Sequence, residues 1–227
     1  DLFVIDDLGT VALLIGDGDG GFAQPDQTVE FVEDLANFVS GAVSADFDGD
    51  GNPDVAVADD DEIIFVCNEN GTMVPCATEN VILSDFFANA SVVDIQIGDF
   101  DNDGNADIVA LDSAANAAYL VYGDGAGNFA VDAFSQLLPG GGTEARMTVT
   151  NFNGTGADDF VGVNDQDFDF NASTFIGLGS NRRFQSRPFL APQLPTGIAS
   201  GDFSGDGVPD IIFSDSNEVS FLAGNES

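Results

Sequence analysis

Apolar residues in this chain come in short runs broken by Asp, Gly and Asn, and the same alternation returns about every fifty residues. Four polar segments align: Asp46-Phe-Asp-Gly-Asp-Gly-Asn-Pro-Asp54, Asp99-Phe-Asp-Asn-Asp-Gly-Asn-Ala-Asp107, Asn151-Phe-Asn-Gly-Thr-Gly-Ala-Asp-Asp159 and Asp202-Phe-Ser-Gly-Asp-Gly-Val-Pro-Asp210. Their starts lie 53, 52 and 51 residues apart. An apolar run follows each segment: Val55-Ala-Val-Ala58, Ile108-Val-Ala-Leu111, Phe160-Val-Gly-Val163 and Ile211-Ile-Phe213. A smaller run precedes it, such as Ala42-Val43 or Ile95-Gln-Ile97. Further on comes a second run: Ile63-Ile-Phe-Val66, Ala118-Tyr-Leu-Val-Tyr122, Thr174-Phe-Ile-Gly177 and Val219-Ser-Phe-Leu222.

A glycine-rich turn ending in Phe or Met completes the unit. It reads Gly16-Asp-Gly-Asp-Gly-Gly-Phe22, Gly123-Asp-Gly-Ala-Gly-Asn-Phe129 and, more loosely, Asn70-Gly-Thr-Met73 and Gly179-Ser-Asn-Arg-Arg-Phe184. Runs of this length bounded by turn residues predict strands, in the order strand, Asp loop, strand, short turn, strand, Gly-rich turn, strand. Four short antiparallel strands per roughly 50 residues is the pattern of a β-propeller blade. No stretch keeps a 3.6-residue apolar period; Val29 to Phe38 comes nearest and admits one short helical turn. The expected fold is all-β.

The repeat also sets the expected domain organisation, a single propeller over residues 1–227 with units near 1–38, 39–91, 92–143, 144–194 and 195–227. Asp1-Leu-Phe-Val-Ile5 matches Asp54-Val-Ala-Val-Ala58, so the first unit opens at a blade's second strand. The last closes after a third strand, Val219-Ser-Phe-Leu222. Three complete blades flanked by two partial ones imply a segment of a longer propeller, or edges completed by another chain.

Composition narrows the chemistry. The 227 residues carry 40 acidic side chains, 4 arginines (Arg146, Arg182, Arg183, Arg187), no lysine and no histidine, for a net charge of −36. Such a charge repels phosphate backbones and anionic membranes, so nucleic-acid binding is excluded as a reading. Without histidine there is no Ser-His-Asp or Cys-His pair and no His-ligated zinc. No apolar run approaches the roughly 18 residues of a membrane span. Asp1 to Asp7 carries no basic segment ahead of an apolar one, so no signal peptide is read there. A secreted protein would then be present as a mature or trimmed chain. The hydrophobic share of 44%, with 21 Phe, is ample for a packed core.

The acids are 32 Asp and only 8 Glu. Asp suits tight turns and hard-cation coordination, because its short side chain keeps the carboxylate near the backbone. The spacing Asp-x-Asp-x-Asp-Gly-x-x-Asp offers carboxylates at loop positions 1, 3, 5 and 9 and a carbonyl at position 7. Several carboxylates around one centre are tolerable with a cation between them, and calcium accepts six to eight oxygens at flexible geometry. Gly51, Gly104, Gly156 and Gly207 at position 6 predict a positive φ where the loop reverses. Pro53 and Pro209 preset φ just before the last ligand. An EF-hand does not fit: its acid at position 12 is replaced by Val57, Ala110 and Phe213, and strands flank the loop.

Asp-Phe-Asp-Gly-Asp-Gly-x-Pro-Asp followed by Val-Ala-Val-Ala, with a Gly-x-Gly-x-Gly-x-Phe turn downstream, resembles the FG-GAP or VCBS repeat across essentially the whole chain. Such repeats build the seven-bladed propellers of integrin alpha subunits and of several fungal lectins. The resemblance implies a calcium ion pinning the hairpin between a blade's first two strands. Its ligands would be Asp46, Asp48, Asp50, Asn52 (carbonyl) and Asp54 in the first loop, and Asp99, Asp101, Asp103, Asn105 (carbonyl) and Asp107 in the second. In the last loop they would be Asp202, Ser204, Asp206, Val208 (carbonyl) and Asp210. That makes about three calcium sites. The third loop departs from the pattern: Asn151, Asn153 and Thr155 replace acids, which favours a turn held by side-chain hydrogen bonds.

Cys67 and Cys76 flank a hairpin turn and read as a disulfide formed in an oxidising compartment. Asn70, Asn89, Asn171 and Asn225 head candidate glycosylation sequons, whereas the sequon at Asn153 competes with its own loop. Arg182, Arg183 and Arg187 form a basic cluster that pairs with nearby acids or grips a partner's carboxylate or sulfate. Together these features indicate a non-enzymatic, secreted or cell-surface calcium-binding propeller that binds a protein or glycan. Two other readings stay open. One is a structural subunit completed by neighbouring chains through its open terminal blades. The other is a polysaccharide-active enzyme using a carboxylate pair.

Overall fold

The computed structural model describes residues 2–5, 10–22, 28–30, 39–76, 80–86, 90–112, 114, 117–135, 146–163, 171–177, 184–190, 196–215 and 217–224. These residues form five antiparallel sheets, each following the previous one in sequence. The first contains β1 (Leu2–Ile5), β2 (Thr10–Leu14) and β3 (Thr28–Glu30). The second has β4 (Val39–Ala45), β5 (Asp54–Asp59), β6 (Glu62–Glu69) and β7 (Thr72–Pro75), with a short β8 (Val81–Ile82) also pairing β6. The third runs β9 (Val92–Gly98), β10 (Asp107–Asp112), β11 (Ala117–Gly123) and β12 (Phe129–Ser135). The fourth has β13 (Arg146–Thr150), β14 (Asp159–Val163), β15 (Asn171–Gly177) and β16 (Phe184–Leu190). In the fifth are β17 (Gly197–Gly201), β18 (Asp210–Ser214) and β19 (Val219–Leu222).

The helical turn admitted for Val29 to Phe38 does not begin as one. Val29 and Glu30 belong to β3, paired to β2 through Val11↔Val29 and Thr10↔Glu30, and residues 31–38 lie outside the described set. Strand pairing overrides the weak local period there. The one helical element among the described residues is a 3-10 turn at Leu83–Asp85, which the sequence pattern does not announce.

Burial explains why the second strands read as unbroken apolar runs. Every residue of β5, β10 and β14 is buried, as is all of β11, because neighbouring sheets cover both faces. The cores therefore lie between sheets. Leu13 of the first sheet packs with Val55, Val57, Val66 and Met73 of the second. Phe47, Ala56, Ile63 and Phe65 of the second meet Ile108, Ala110, Tyr119 and Val121 of the third. Further along, Phe160 meets Phe100, and Val161 and Val163 meet Ile211 and Phe213.

The first strands differ from the second. They are mostly half-buried, with Val92, Ile95 and Met147 buried, and lie side by side, β4 against β9, β9 against β13 and β13 against β17. Polar bonds link them across sheets: the Thr148 and Ser200 hydroxyls meet at 2.8 Å, and the Met147 N–H donates to Asp94 Oδ2 at 2.9 Å. Burial raises the Asp94 carboxyl above its ordinary range, while the Met147 N–H, Gln96 and Arg146 pull it down. Inner strands abutting in succession, with cores between radiating sheets, are propeller architecture.

In the second sheet, Asn70 and Gly71 join β6 to β7 with φ of 55° and 89°, as a two-residue hairpin loop requires. That hairpin brings Cys67 and Cys76 together in a disulfide with Cα atoms 4.9 Å apart. The bridge spans a sequence separation of 9, so loop-closure entropy predicts about 2.5 kcal/mol of stabilisation. Replacing both cysteines by serine is expected to lower the urea-denaturation free energy by about that amount, and an unchanged midpoint would contradict it.

Candidate metal centre

Four Asp loops join the first and second strands of the second to fifth sheets, and they share one backbone. Position 6 has positive φ in every copy: Gly51 89°, Gly104 88°, Gly156 98° and Gly207 87°. Position 4 does as well, although glycine is not present there in every copy. Gly49, Gly154 and Gly205 stand there at 79°, 69° and 78°, and Asn102 takes the same place at 59°. Asn is the side chain that best tolerates this region.

The position 9 aspartates anchor the loops. Asp54, Asp107, Asp159 and Asp210 are wholly buried. In each case Oδ2 accepts the N–H of the loop's second residue, from Phe47 at 3.0 Å, Phe100 at 2.8 Å, Phe152 at 2.8 Å and Phe203 at 2.9 Å. Oδ1 reaches to the end of the sheet's third strand or just past it, accepting from Asn68 (2.8 Å), Gly123 (2.9 Å) and Gly224 (2.8 Å). In the third loop Asn153 Nδ2 also donates to Asp159 Oδ1, at 3.2 Å. Loop spacing alone marks these aspartates only as ligands. The recurrence was visible, because Asp159 persists in a loop whose positions 1, 3 and 5 have lost their acids.

Position 1 closes the turn on itself. Asp46 accepts from Gly49 and Gly51 at 2.8 and 3.0 Å, Asp99 from Asp103 and Gly104 at 3.0 Å each. Asp202 accepts from Gly205, Asp206 and Gly207 at 2.6, 3.1 and 3.0 Å. Each oxygen of Asp46 keeps a lone pair for a further partner, whereas Asp202 Oδ1 already accepts both the Gly205 and Asp206 N–H groups.

The first two loops crowd their carboxylates. Oxygens of Asp46, Asp48 and Asp50 lie within 4.8 Å of one another, and so do those of Asp99, Asp101 and Asp107. Asp48 and Asp54 also approach Cys67 Sγ within 4.8 Å, but that sulfur is held in the disulfide and offers no thiolate. Asp103 faces Asn105, accepting its N–H at 2.8 Å and its Nδ2 at 3.0 Å; Asp50 and Asn52 do the same at 2.7 and 2.9 Å. Among the described residues, Asp202, Asp206 and Asp210 of the last loop form no such triple. There the Ser204 N–H donates to Asp210 Oδ2 at 2.8 Å, and the Val208 N–H to Asp206 Oδ1 at 2.9 Å. The third loop is held by Asn151 to the Gly154 N–H at 2.7 Å and Asn153 to the Thr155 N–H at 2.8 Å.

Electrostatics follow the burial. Asp107 is pushed up to about 7, first by burial and then by Asp101 and Asp103, with the Gly123 and Phe100 N–H groups opposing. Burial also raises Asp54, with Asp48 and Asp50 adding to it. Asp210 goes the other way, held down first by the Gly224 N–H. Its surroundings explain the contrast: Phe203 beside it is 50% exposed, whereas Phe100 beside Asp107 is 0% exposed. The donors brought together are hard oxygens carrying excess negative charge, a set that fits a hard cation and offers nothing to a soft one.

The other candidate residues are spread widely. Asn70 is exposed at its hairpin tip, Asn171 opens β15, and Asn89 and Asn225 lie outside the described residues. Arg182 and Arg183 also lie outside them, while Arg187 is on β16.

The FG-GAP-like repeat model matches residues 1–57 and again 46–110. The chain carries FG-GAP-like repeats. Its fold is similar to that of an Agrocybe aegerita lectin, whose structure concerns specific recognition of non-reducing terminal N-acetylglucosamine, at 15% identity and a TM-score of 0.65. The match covers 95% of this chain and 57% of the lectin, so the chain spans a little over half the lectin's length. A second alignment, to the Photorhabdus luminescens Tc holotoxin pore, has a TM-score of 0.46 at 17% identity and covers 95% of this chain and 10% of that one. No curated protein matches the chain in sequence.

The position of Asp107 in this FG-GAP-repeat chain gives a pH test. In metal-free protein its folded-state value is about 7, against about 3.9 unfolded. The stability linked to its proton is therefore complete below about pH 4 and is lost as pH rises through about 7. Urea midpoints of chelator-treated protein should fall across that interval, and the slope should be smaller in Asp107→Asn. Equal slopes in the two proteins would contradict the assignment.

Proposed function

We propose that this FG-GAP-repeat chain is a non-enzymatic, extracellular binding module whose propeller is stiffened by structural calcium. The observation that carries the reading is the crowding of carboxylates in the second loop, where buried Asp101 and Asp107 meet Asp99 within 4.8 Å. Buried like charges so close are costly alone and favourable around a divalent cation. Calcium would be held by Asp46, Asp48, Asp50, Asp54 and the Asn52 carbonyl, and by Asp99, Asp101, Asp103, Asp107 and the Asn105 carbonyl. A weaker third ion would sit among Asp202, Ser204, Asp206, Asp210 and the Val208 carbonyl. Each ion joins the two strands its loop connects, so binding is coupled to folding. The third loop meets the same need with its own hydrogen bonds.

The units near 1–38, 39–91, 92–143, 144–194 and 195–227 then act as blades of a ring of about seven, in keeping with the greater length of the lectin. A rigid propeller face presents loops to a glycan or protein. The lectin's fold supports the glycan, and the Cys67–Cys76 bridge supports an oxidising exterior. A non-catalytic role accords with the absence of histidine and with position 9 carboxylates already committed to backbone N–H groups.

Calorimetric calcium titration of chelator-stripped protein, with thermal unfolding in parallel, tests this reading. Two strong sites and a third weaker one are expected, each adding about 2.7 kcal/mol of stability when calcium is a hundredfold above its Kd. Asp48→Asn and Asp101→Asn should each abolish one strong site and leave the other. An identical Tm in EDTA and in millimolar calcium would sink the calcium reading.

A further inference from the structure

Cys67 Sγ lies within 4.8 Å of carboxylate oxygens of Asp48 and Asp54, two of the first loop's candidate ligands. Asp54 and Cys67 are both buried, so bridge and carboxylate share the protein interior. The next residue, Asn68, supplies the N–H that Asp54 Oδ1 accepts at 2.8 Å. Asn68 also shapes the hairpin tip: its carbonyl accepts the Asn70 N–H at 3.0 Å, and its Oδ1 accepts the Gly71 N–H at 2.7 Å. The bridge, the hairpin and the anchor of the loop's last aspartate are therefore neighbours at one end of β6.

The third sheet offers an internal comparison. There Gly123 takes the place of Asn68, donating to Asp107 Oδ1 at 2.9 Å, and Tyr122 stands where Cys67 does. Its fourth strand, β12, pairs with β11 at seven positions, from Ala117↔Ser135 to Gly123↔Phe129. In the second sheet β7 pairs with β6 at four, from Val66↔Pro75 to Glu69↔Thr72. Pro75, the last of β7, has no N–H to add to the ladder. The disulfide thus ties a short hairpin where the third sheet has a longer ladder and no cysteine.

We propose that the Cys67–Cys76 bridge gates the first calcium site, holding Asn68 against Asp54 when oxidised and releasing that end of the hairpin when reduced. The second loop has no bridge and does not respond. The inference rests on the calcium reading above and adds regulation to one of its sites. Reduction by a dithiol breaks the S–S bond, delivers two electrons and two protons to give two thiols, and leaves the dithiol as its own disulfide. Calcium is a hard cation that takes oxygen ligands, so a freed Cys67 thiol beside Asp48 and Asp54 does not replace the lost order. The linkage is reciprocal: the factor by which the bridge tightens calcium is the factor by which calcium protects the bridge from reduction.

Calorimetric calcium titration of the full chain, oxidised and in dithiothreitol, tests the gate with each loop read alone. Asp101→Asn leaves the first strong site to be read, and Asp48→Asn leaves the second. Reduction is expected to raise the first site's Kd about tenfold or more and the second's by less than about twofold. Adding Cys67→Ala and Cys76→Ala to the Asp101→Asn chain should give the raised Kd with or without dithiothreitol. In a dithiol redox buffer, saturating calcium should lower the bridge's reduction potential by about 30 mV for each tenfold of coupling. A first-site Kd that is the same in both redox states overturns the inference. Equal weakening of both loops does so as well, because it marks a general loosening. Oxidised protein that binds calcium at neither loop overturns the calcium reading itself, and this inference with it.

Discussion

In each Asp loop the last aspartate lies out of water with its oxygens turned toward N–H groups, one at the loop's start and, in three loops, one at the end of a neighbouring strand. This single side chain fixes the span of the loop and ties it to the third strand of its sheet. A buried carboxylate is costly unless such donors surround it, so the surrounding backbone has little freedom to move away. In the first two loops acids are then held close together. Their mutual repulsion is what a cation would relieve, and in the third loop asparagine and threonine avoid it from the outset.

Loops held in this way also reach across to the next sheet. The Gly127 N–H, in the turn closed by Phe129, donates to the Phe47 carbonyl at 3.1 Å. The approach is close enough that a Cβ on Gly49 would collide with the Gly125 carbonyl oxygen. Between the third and fourth sheets the Asp99 N–H donates to Asp158 Oδ2 at 2.9 Å, and the Asp158 N–H returns to the Asp99 carbonyl at 2.8 Å. Loop, turn and inter-sheet core therefore behave as one mechanical unit, and a ligand that stiffens a loop also stiffens the contact between sheets.

Much of this was legible in the chain itself. The second strands could be located because both their faces are covered, which turns their pattern into unbroken apolar runs such as Val55 to Ala58. The reversal at position 6 could be read from glycine, and the disulfide from two cysteines around a short turn. The second duty of Asp54 and Asp107 was harder to see, because their donors, Asn68 and Gly123, lie 14 and 16 residues away. Strand β8 and the turn at Leu83–Asp85 were missed for a related reason: their hydrogen bonds run to distant backbone, as from the Leu83 N–H to the Asp61 carbonyl. The strand at Val29 and Glu30 was likewise settled by a partner across the sheet.

The sequence by itself determined the repeat, the all-β class and the family, because these depend on local spacing written into contiguous residues. It also determined which oxygens could serve a cation. Tertiary structure alone decided which of those carboxylates are brought within reach of one another, and how much protein covers each loop around its buried aspartate. The same motif gives a raised carboxyl at Asp107 and a lowered one at Asp210. The physical reason is that burial depends on the neighbouring sheet, which a loop's own residues do not encode.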